Sequence, residues 1–283
     1  MKTVVIMPNP KKDEGLNVTV RVAEKLRSLG INVFLDIKYK HCNAVGVEYY
    51  EQFPRADLII VIGGDGSVIA ASANAVSADI PMLGVNLGKV GYLTEVEPDA
   101  LYVLDRLVSG EYFVEDKLLL SVECKRGGEI YSTDSLAVND VVISHNEFLG
   151  IADFKVENSL GDCVKYRADG IILATPQGST AYSLSAGGPI ISHDLDSIIV
   201  TPVCPHSFFN RSIIFSASER LKVTNDGESD LNVSIDGRLF TVLSKGDECT
   251  IYAAERKMKM ITFSENNMFS TLFRKMRILE DIK

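Results

Sequence analysis

Two segments of the chain combine the residue types that phosphate chemistry uses. The first, the glycine turn, is Gly63-Gly64-Asp65-Gly66-Ser67, which directly follows the apolar run at 58–62. Glycines allow a phosphate-bearing ligand to approach the backbone, and the start of a following helix offers N–H groups to anions. The segment therefore predicts a phosphate-binding turn at the carboxyl end of a strand, where open α/β sheets bind ligands.

Asp65 is the carboxylate within the glycine turn. A carboxylate beside phosphates is electrostatically unfavourable unless it handles a proton or binds a metal ion. We therefore take Asp65 as the candidate catalytic residue. The alternative is a tight strand-to-helix turn in which Asp65 only caps the helix.

The second segment, residues 175–190, reads Thr-Pro-Gln-Gly-Ser-Thr-Ala-Tyr-Ser-Leu-Ser-Ala-Gly-Gly-Pro-Ile. We call it the hydroxyl-rich segment. Its Tyr182 offers an aromatic ring to a base. By composition alone, such a stretch between strands also fits a long loop.

The elements that must position the glycine turn alternate between strand and helix. Strands are predicted at 3–7, 31–37, 57–62 and 81–85, and helices from Glu14 to a stop at Gly30, over 67–77, and over 98–107 with Gly110 after it. This alternation predicts a doubly wound α/β domain at 1–117.

From residue 118 the pattern changes to short strands separated by Gly and Asp turns, which predicts a larger antiparallel β-rich domain at 118–264. Its last predicted strand is 258–263. Residues 265–283 form a predicted helical tail with an amphipathic helix over 267–279, which we expect to dock on a domain, the first being one option.

Composition narrows the classes of function. The 283 residues carry 29 Lys and Arg against 38 Asp and Glu, a net charge of −9, so nucleic acid is not an expected partner. No apolar run reaches the roughly 20 residues that span a bilayer, and no signal peptide is evident, which predicts a cytoplasmic protein without membrane contact. The five scattered Cys predict reduced, structural thiols.

Taken together, the motifs resemble the NAD kinase family, in which the glycine turn and the hydroxyl-rich segment are both signatures. Further blocks occur in the family's order. They are Asn86-Leu87-Gly88, Asn139-Asp140, Arg167-Ala168-Asp169-Gly170, the Pro-His-Ser segment within 201–207 and Ile235-Asp236-Gly237. The ordering makes the resemblance specific, whereas any single block would not.

The resemblance implies ATP-dependent phosphorylation of the 2′-hydroxyl of the adenosine ribose of NAD, giving NADP. Asp65 is then the base that accepts the hydroxyl proton. A divalent cation, Mg²⁺, is implied on the phosphates of ATP. Family members are homo-oligomers, so a homodimer or homotetramer is expected. The sequence leaves open whether ATP, another nucleotide or polyphosphate is the preferred donor.

The resemblance also implies which residues contact the ligands. Asn139 and Asp140 are predicted to hydrogen-bond ribose hydroxyls, and Arg167 and Asp169 to contact ligand in this subunit or in a neighbouring one. The other predicted dinucleotide contacts are Asp65, Gly66, Gln177, Thr180, Ala181, Tyr182, Ser183, Leu184, Ser185, Cys204 and Arg238. The predicted phosphate loops contain Gly63, Gly64, Ser67, Asn86 and Gly88.

Five positions depart from the family pattern. Ser212 stands where Pro is common. Asp140 replaces the usual Glu, Gln177 stands where Thr is common, Arg238 stands where Gln is common, and Ala70 lacks a basic side chain that some members have. These departures bear on substrate preference rather than on the type of reaction.

Two other functions stay open on sequence alone. Phosphofructokinases and lipid kinases of the diacylglycerol type also use a Gly-Gly-Asp-Gly turn. A non-catalytic dinucleotide sensor on the same scaffold is the alternative from a different class. Asp65 argues against the sensor, and the hydroxyl-rich segment with Asn139-Asp140 favours a nucleotide substrate.

Overall fold

The computed structural model describes residues 1–42, 44–88, 91–146, 150–206, 209–264 and 272–273. The chain divides into two compact units, one made of Met1–Asp116 with the stretch that begins at Met258, the other of Lys117–Lys257. The helices are α1 (Asn17–Ser28), α2 (Asp65–Ala78), α3 (Arg106–Ser109) and α4 (Tyr182–Ser185). Within the ranges described, none of them is long and apolar enough to cross a bilayer.

The strands of the described residues follow in chain order. They are β1 (Thr3–Pro8), β2 (Asn32–Asp36), β3 (Glu48–Tyr50), β4 (Leu58–Gly63), β5 (Met82–Asn86), β6 (Phe113–Lys117), β7 (Leu120–Arg126), β8 (Glu129–Ala137), β9 (Asp140–His145), β10 (Ala152–Glu157), β11 (Cys163–Ala168), β12 (Gly170–Ala174), β13 (Ser197–Val203), β14 (Ile213–Ser216), β15 (Arg220–Asn225), β16 (Leu231–Ile235), β17 (Arg238–Leu243), β18 (Glu248–Ala253) and β19 (Met258–Thr262). Single-turn 3₁₀ helices lie at Glu14–Leu16, Ile37–Cys42, Leu101–Asp105 and Gln177–Thr180.

The first unit is built on a seven-stranded sheet with the order β3-β2-β1-β4-β5-β19-β6. Neighbouring strands from β3 to β19 are parallel. The continuous apolar sequence of β4 is buried along its whole length, as a central strand of a parallel sheet requires. The predicted α/β domain is confirmed.

Helix α1 shows how the sequence specifies this unit. Its buried residues include Val22, Ala23 and Leu26, which share one face at helical spacing and join the core cluster that contains Val4 and Ile6 of β1. The chain leaves the helix through Gly30, which has a φ of 77°. A side chain at that φ is disfavoured, so the glycine ends the helix where the sequence predicts.

The second unit contains two antiparallel six-stranded sheets, with the orders β11-β10-β15-β18-β7-β8 and β14-β13-β12-β9-β16-β17. Their inner faces share one core, to which β7 contributes Val122 and β9 contributes Val141 and Ile143. Alternate residues of each strand point inward, which gives the alternating burial pattern of β7 and β16. The predicted antiparallel β-rich domain is confirmed.

The assignment of residues 258–263 to the second domain was wrong. The strand itself exists as β19, but it lies beside β5 in the first sheet, with Met260 opposite Met82. An apolar period of two predicts a strand without indicating its partner, and this partner lies more than a hundred residues earlier in the chain.

One other predicted element, a helix, has different bounds in the structure. The helix at 98–107 begins later, as a 3₁₀ turn at Leu101–Asp105 followed by α3, because Ala100 has non-helical φ and ψ angles of −107° and 26°. The hydroxyl-rich segment is not an irregular loop throughout, since it contains a 3₁₀ turn and α4. The predicted helix at 267–279 lies outside the described residues apart from 272–273.

Candidate functional site

The glycine turn joins the end of β4 to the start of α2. Gly63 and Gly64 are buried, and a Cβ on Gly63 would overlap the Ser67 hydroxyl. The turn is therefore too tight for a side chain at position 63. Asp65 is half-buried and Gly66 is exposed, so the start of α2 is accessible at these two residues.

The Asp65 carboxylate is held by two backbone groups from the loop after β5. Its Oδ2 accepts a hydrogen bond from Tyr92 N at 2.9 Å, and its Oδ1 accepts one from Leu93 N at 3.0 Å. A Cβ on Gly91 would overlap Asp65 Oδ1. Burial raises the pKa of Tyr92, and the nearby charge of Asp65 raises it further. Both carboxylate oxygens are thus fixed in direction, and each retains a lone pair for a proton or a cation.

Asn86 ends β5 beside the glycine turn, since Leu87 N donates to Gly63 O at 2.6 Å. The Asn86 side chain is 2% exposed, and its amide nitrogen donates to Glu97 at 3.2 Å. Its Oδ1 is buried and has no hydrogen-bond partner among the described residues. A buried unsatisfied acceptor is unusual and fits a ligand or water at this loop.

In the second unit, Asn139 and Asp140 stand at the start of β9. Asp236, in the Asp-Gly turn between β16 and β17, accepts hydrogen bonds from Val138 N at 2.8 Å, Asn139 N at 2.7 Å and Asp140 N at 3.1 Å. Asp236 and Gly237 both have positive φ, 47° and 76°, as two-residue hairpin turns of this kind require. The sequence motifs include this turn, but Asp236 is not among the site residues that they predict.

Asp140 is buried, and the carboxylate of the half-buried Asp236 is near enough to affect its charge. Burial, together with the nearby charge of Asp236, raises the pKa of Asp140 to about 7. Burial also raises the pKa of Asp236, while its three backbone hydrogen bonds and Arg238 act in the opposite direction. Near neutral pH, Asp140 can therefore exist as an acid that donates a hydrogen bond or as a carboxylate that accepts one.

The hydroxyl-rich segment begins against Asn139. Thr175 N donates to Asn139 O at 2.9 Å, and the Thr175 hydroxyl donates to Val138 O at 2.7 Å and accepts from Gly178 N at 2.9 Å. A Cβ on Gly178 would overlap the Asn139 carbonyl. Gln177, 4% exposed, has a buried Oε1 without a partner in the described part of the chain. The structure thus brings Asn139, Asp140 and Gln177 together.

The rest of the segment has mixed exposure. Ser183 is buried, and its hydroxyl lies 3.0 Å from that of Thr201, so it is engaged inside the unit. Tyr182 and Leu184 are 47% and 38% exposed. Thr180 and Ala181 are half-buried, while Ser185 is exposed.

Arg167, Asp169 and Cys204 lie at the other end of β12. His206 N donates to Arg167 O at 2.7 Å, and Asp169 N donates to Val203 O at 3.0 Å. Asn139 and Gln177 lie beyond the opposite end of the same strand, whose five residues separate the two groups by about 15 Å. The predicted site residues of the second unit therefore form two groups. Arg238 belongs with the Asp140 group through its proximity to Asp236.

The side chains near the glycine turn fit a Mg²⁺ ion that is coordinated mainly by the phosphates of a nucleotide. Across the described ranges, no group of three or more His, Cys, Asp or Glu side chains is placed to hold a metal ion. Mg²⁺ commonly binds through one or two carboxylates together with substrate phosphates. Asp65, with a remaining lone pair on each oxygen, is the carboxylate at the glycine turn that fits this pattern.

Comparisons with known proteins find matches to both units of the chain. The family model of the ATP-NAD kinase N-terminal domain matches residues 4–112, and that of the ATP-NAD kinase C-terminal domain matches residues 138–263. An NAD kinase from Natranaerobius thermophilus is 33% identical over 283 residues, 98% of each chain. An NAD kinase from Geobacter sulfurreducens is 38% identical over 224 residues, 78% of each chain.

Solved structures show the same fold. The chain resembles yeast NADH kinase complexed with NADH, with a TM-score of 0.84, 24% identity and coverage of 96% of this chain and 86% of that one. It also resembles an NAD kinase from Archaeoglobus fulgidus in complex with ATP, with a TM-score of 0.71, 25% identity and coverage of 98% and 99%.

The α/β unit carries a Gly-Gly-Asp-Gly turn, and most of the antiparallel β unit matches a kinase domain. Together they define a two-domain phosphotransferase. The resemblance seen in the sequence motifs is confirmed by sequence and by fold. The chain belongs to the NAD kinase family.

Proposed function

We propose that this chain transfers the terminal phosphoryl group of ATP to the 2′-hydroxyl of the adenosine ribose of NAD, with Asp65 as the general base. The observation that supports the role of Asp65 is its carboxylate at the start of α2, with both oxygens oriented by Tyr92 N and Leu93 N. The comparisons favour this reaction over a lipid kinase, because the matched relatives are named NAD kinase.

An alcohol is a weak nucleophile at neutral pH. Asp65 accepts the 2′-hydroxyl proton as the ribose oxygen forms its bond to the γ-phosphorus, and the bond from that phosphorus to the β–γ bridging oxygen breaks to release ADP. A divalent cation on the phosphates would neutralise the charge that develops there. The two backbone hydrogen bonds keep the carboxylate in one orientation during this transfer.

Dinucleotide binding is assigned to the second unit. Asn139 offers an amide and Asp140 a carboxyl group to ribose hydroxyls, and Gln177 offers a buried carbonyl oxygen that lacks a partner among the described residues. Arg167, Asp169 and Cys204 lie a strand's length away, which supports a role in the site of a neighbouring subunit of a homo-oligomer. Size-exclusion chromatography with light scattering tests the oligomeric state. The cytoplasmic location remains a prediction from the sequence.

The glycine turn and the Asn86 loop are assigned to the donor's phosphates. ATP as the donor is supported by the related Archaeoglobus fulgidus structure, which is a complex with ATP. Assays with other nucleotides and with polyphosphate in place of ATP test which donor is preferred.

The decisive experiment measures NADP formation by the purified protein with NAD, ATP and Mg²⁺. Diacylglycerol and fructose 6-phosphate serve as control acceptors. We expect NADP to form and neither control acceptor to be phosphorylated. Binding of NAD without turnover on any donor would instead support a dinucleotide sensor.

A further inference from the structure

The turn after β1, residues 9–13, lies beside the glycine turn. Asn9 N donates to Ile62 O at 2.8 Å, which continues the pairing of β1 with β4. The Asn9 side-chain amide donates to the Ser67 hydroxyl at 2.8 Å. The carboxyl ends of two adjacent parallel strands thus bring these two turns together.

The backbone of this turn is rigidly held. Lys12 N and Asp13 N both donate to Asn9 O, at 3.0 and 2.9 Å. Asp13 is buried, and its carboxylate accepts hydrogen bonds from Val18 N and Thr19 N near the start of α1. These hydrogen bonds hold the backbone from which the side chains of the turn extend.

The Lys12 ammonium lies over two glycines of the proposed phosphate loops. A Cβ on Gly64 would be 2.7 Å from Lys12 Nζ, and a Cβ on Gly88 would be 3.9 Å from it. The cation therefore occupies the space that a side chain at position 64 would need. Glycine at 64 and 88 leaves this space open to the ammonium and to a ligand that it binds.

Among the described residues, none forms an ion pair or a hydrogen bond with the side-chain ammonium of Lys12, so its charge is not matched there. The protein carries a net charge of −9, so a phosphate chain needs local positive charge where it binds. An ammonium supplies three donors to phosphate oxygens. Lys11 and Lys12 are both exposed, and their spacing in the sequence alone does not distinguish them.

We propose that Lys12 is a binding residue for the phosphoanhydride chain of the phosphoryl donor, and that it determines donor affinity without contributing to NAD affinity. This inference rests on the proposed function, which puts the donor's phosphates at the glycine turn. Because the contact is to phosphate rather than to a base, it applies to ATP and to inorganic polyphosphate alike.

The test compares Lys12→Ala with Lys11→Ala, the adjacent exposed lysine of the same turn. Lys12→Ala would remove a charge-assisted hydrogen bond to phosphate. We therefore expect its KM for ATP to rise about tenfold and its KM for NAD to stay within about twofold of wild type. Lys12→Arg, which keeps the charge, should restore much of the loss. Lys11→Ala should match wild type. Assays with polyphosphate as donor show whether both phosphate sources depend on Lys12.

Calorimetric titration with ATP in the absence of NAD separates this proposal from the proposed function. If wild type binds ATP and Lys12→Ala binds it about tenfold more weakly, the proposal holds even in a protein that makes no NADP. Equal ATP affinity in the two alanine variants, an equal rise in KM for ATP and NAD, or no ATP binding by wild type would overturn it.

Discussion

Asp236 Oδ1 accepts the backbone N–H of Asn139 at 2.7 Å, although the two residues are 97 positions apart in the chain. The same oxygen accepts Asp140 N at 3.1 Å, and Oδ2 accepts Val138 N at 2.8 Å. A hairpin turn between β16 and β17 therefore determines where β9 begins. Asp236 acts as a positioning residue for the predicted ribose-binding pair.

Asp236→Asn tests this relationship, and asparagine tolerates the positive φ of 47°. An amide has one carbonyl oxygen, so its NH₂ group would face a backbone N–H in place of an acceptor. We expect the free energy of unfolding to fall by about 1–3 kcal/mol and the KM for NAD to rise more than kcat falls. Urea unfolding and steady-state kinetics measure the two effects.

The matched control for Asp236→Asn is Asp226→Asn. Asp226 pairs with Lys165 at 2.7 Å on the surface of the same unit and is 42% exposed. Surface pairs contribute about 0–1 kcal/mol, so this variant should resemble wild type. Similar losses in both variants would contradict a positioning role for Asp236.

Asp65→Asn tests the proposed base. The change keeps the shape of the side chain and removes its ability to accept a proton, so kcat should fall about 100-fold or more while NAD binding persists. Asp79→Asn is the control, because Asp79 lies at the other end of α2 in an exposed pair with Lys259. A kcat for Asp65→Asn within a few-fold of that of the control would show that Asp65 is not the base.

Gly178→Ala tests the packing of the hydroxyl-rich segment on Asn139. The added methyl would overlap the Asn139 carbonyl, and overpacking of this kind destabilises by about 1–3 kcal/mol. We expect a lower Tm and a higher KM for NAD. In Gly227→Ala, the control, the nearest contact of the new methyl is 3.6 Å, and both quantities should be unchanged. Equal effects in the two variants would count against the packing argument.

The buried carboxyl group of Asp140 predicts a pH dependence of stability. The pKa of Asp140 is raised from 3.8 to about 7, mainly by burial, so between these values the folded protein holds a proton that the unfolded chain releases. The stabilisation is complete below pH 3.8 and is lost as the pH rises through 7. The free energy of unfolding should fall by up to about 1.4 kcal/mol per pH unit in this window.

Urea unfolding of wild type and Asp140→Asn between pH 5 and 8 checks this expectation. The variant has no proton to lose at position 140 and should show a flatter profile. Identical slopes for the two proteins would mean that Asp140 does not titrate in this range.

The first unit was largely predictable because its elements carry strong local signals. The buried run of β4 and the amphipathic face of α1 can be recognised from the local sequence, without knowing which elements they pack against. In the second unit, β9 and β12 were not recognised as strands. Their ends coincide with the predicted site residues, and a short apolar run such as Gly170–Ala174 does not by itself distinguish a strand from another buried segment.

The site was predictable where motifs are contiguous in sequence. The glycine turn and Asn139-Asp140 were identified from such motifs. Asp236 and Lys12 were not assigned site roles, because their roles depend on contacts between distant segments. The only local signal for Asp236 is its Asp-Gly turn, and for Lys12 it is the start of a loop after a buried strand.

The position of β19 has a consequence for biosynthesis. The first sheet lacks the strand between β5 and β6 until Met258–Thr262 has been made, after all of Lys117–Lys257 has been synthesised. The α/β unit is therefore completed after the β unit, although most of its residues are made first. A released chain that ends at Lys257 should contain a folded β unit and a protease-sensitive α/β unit.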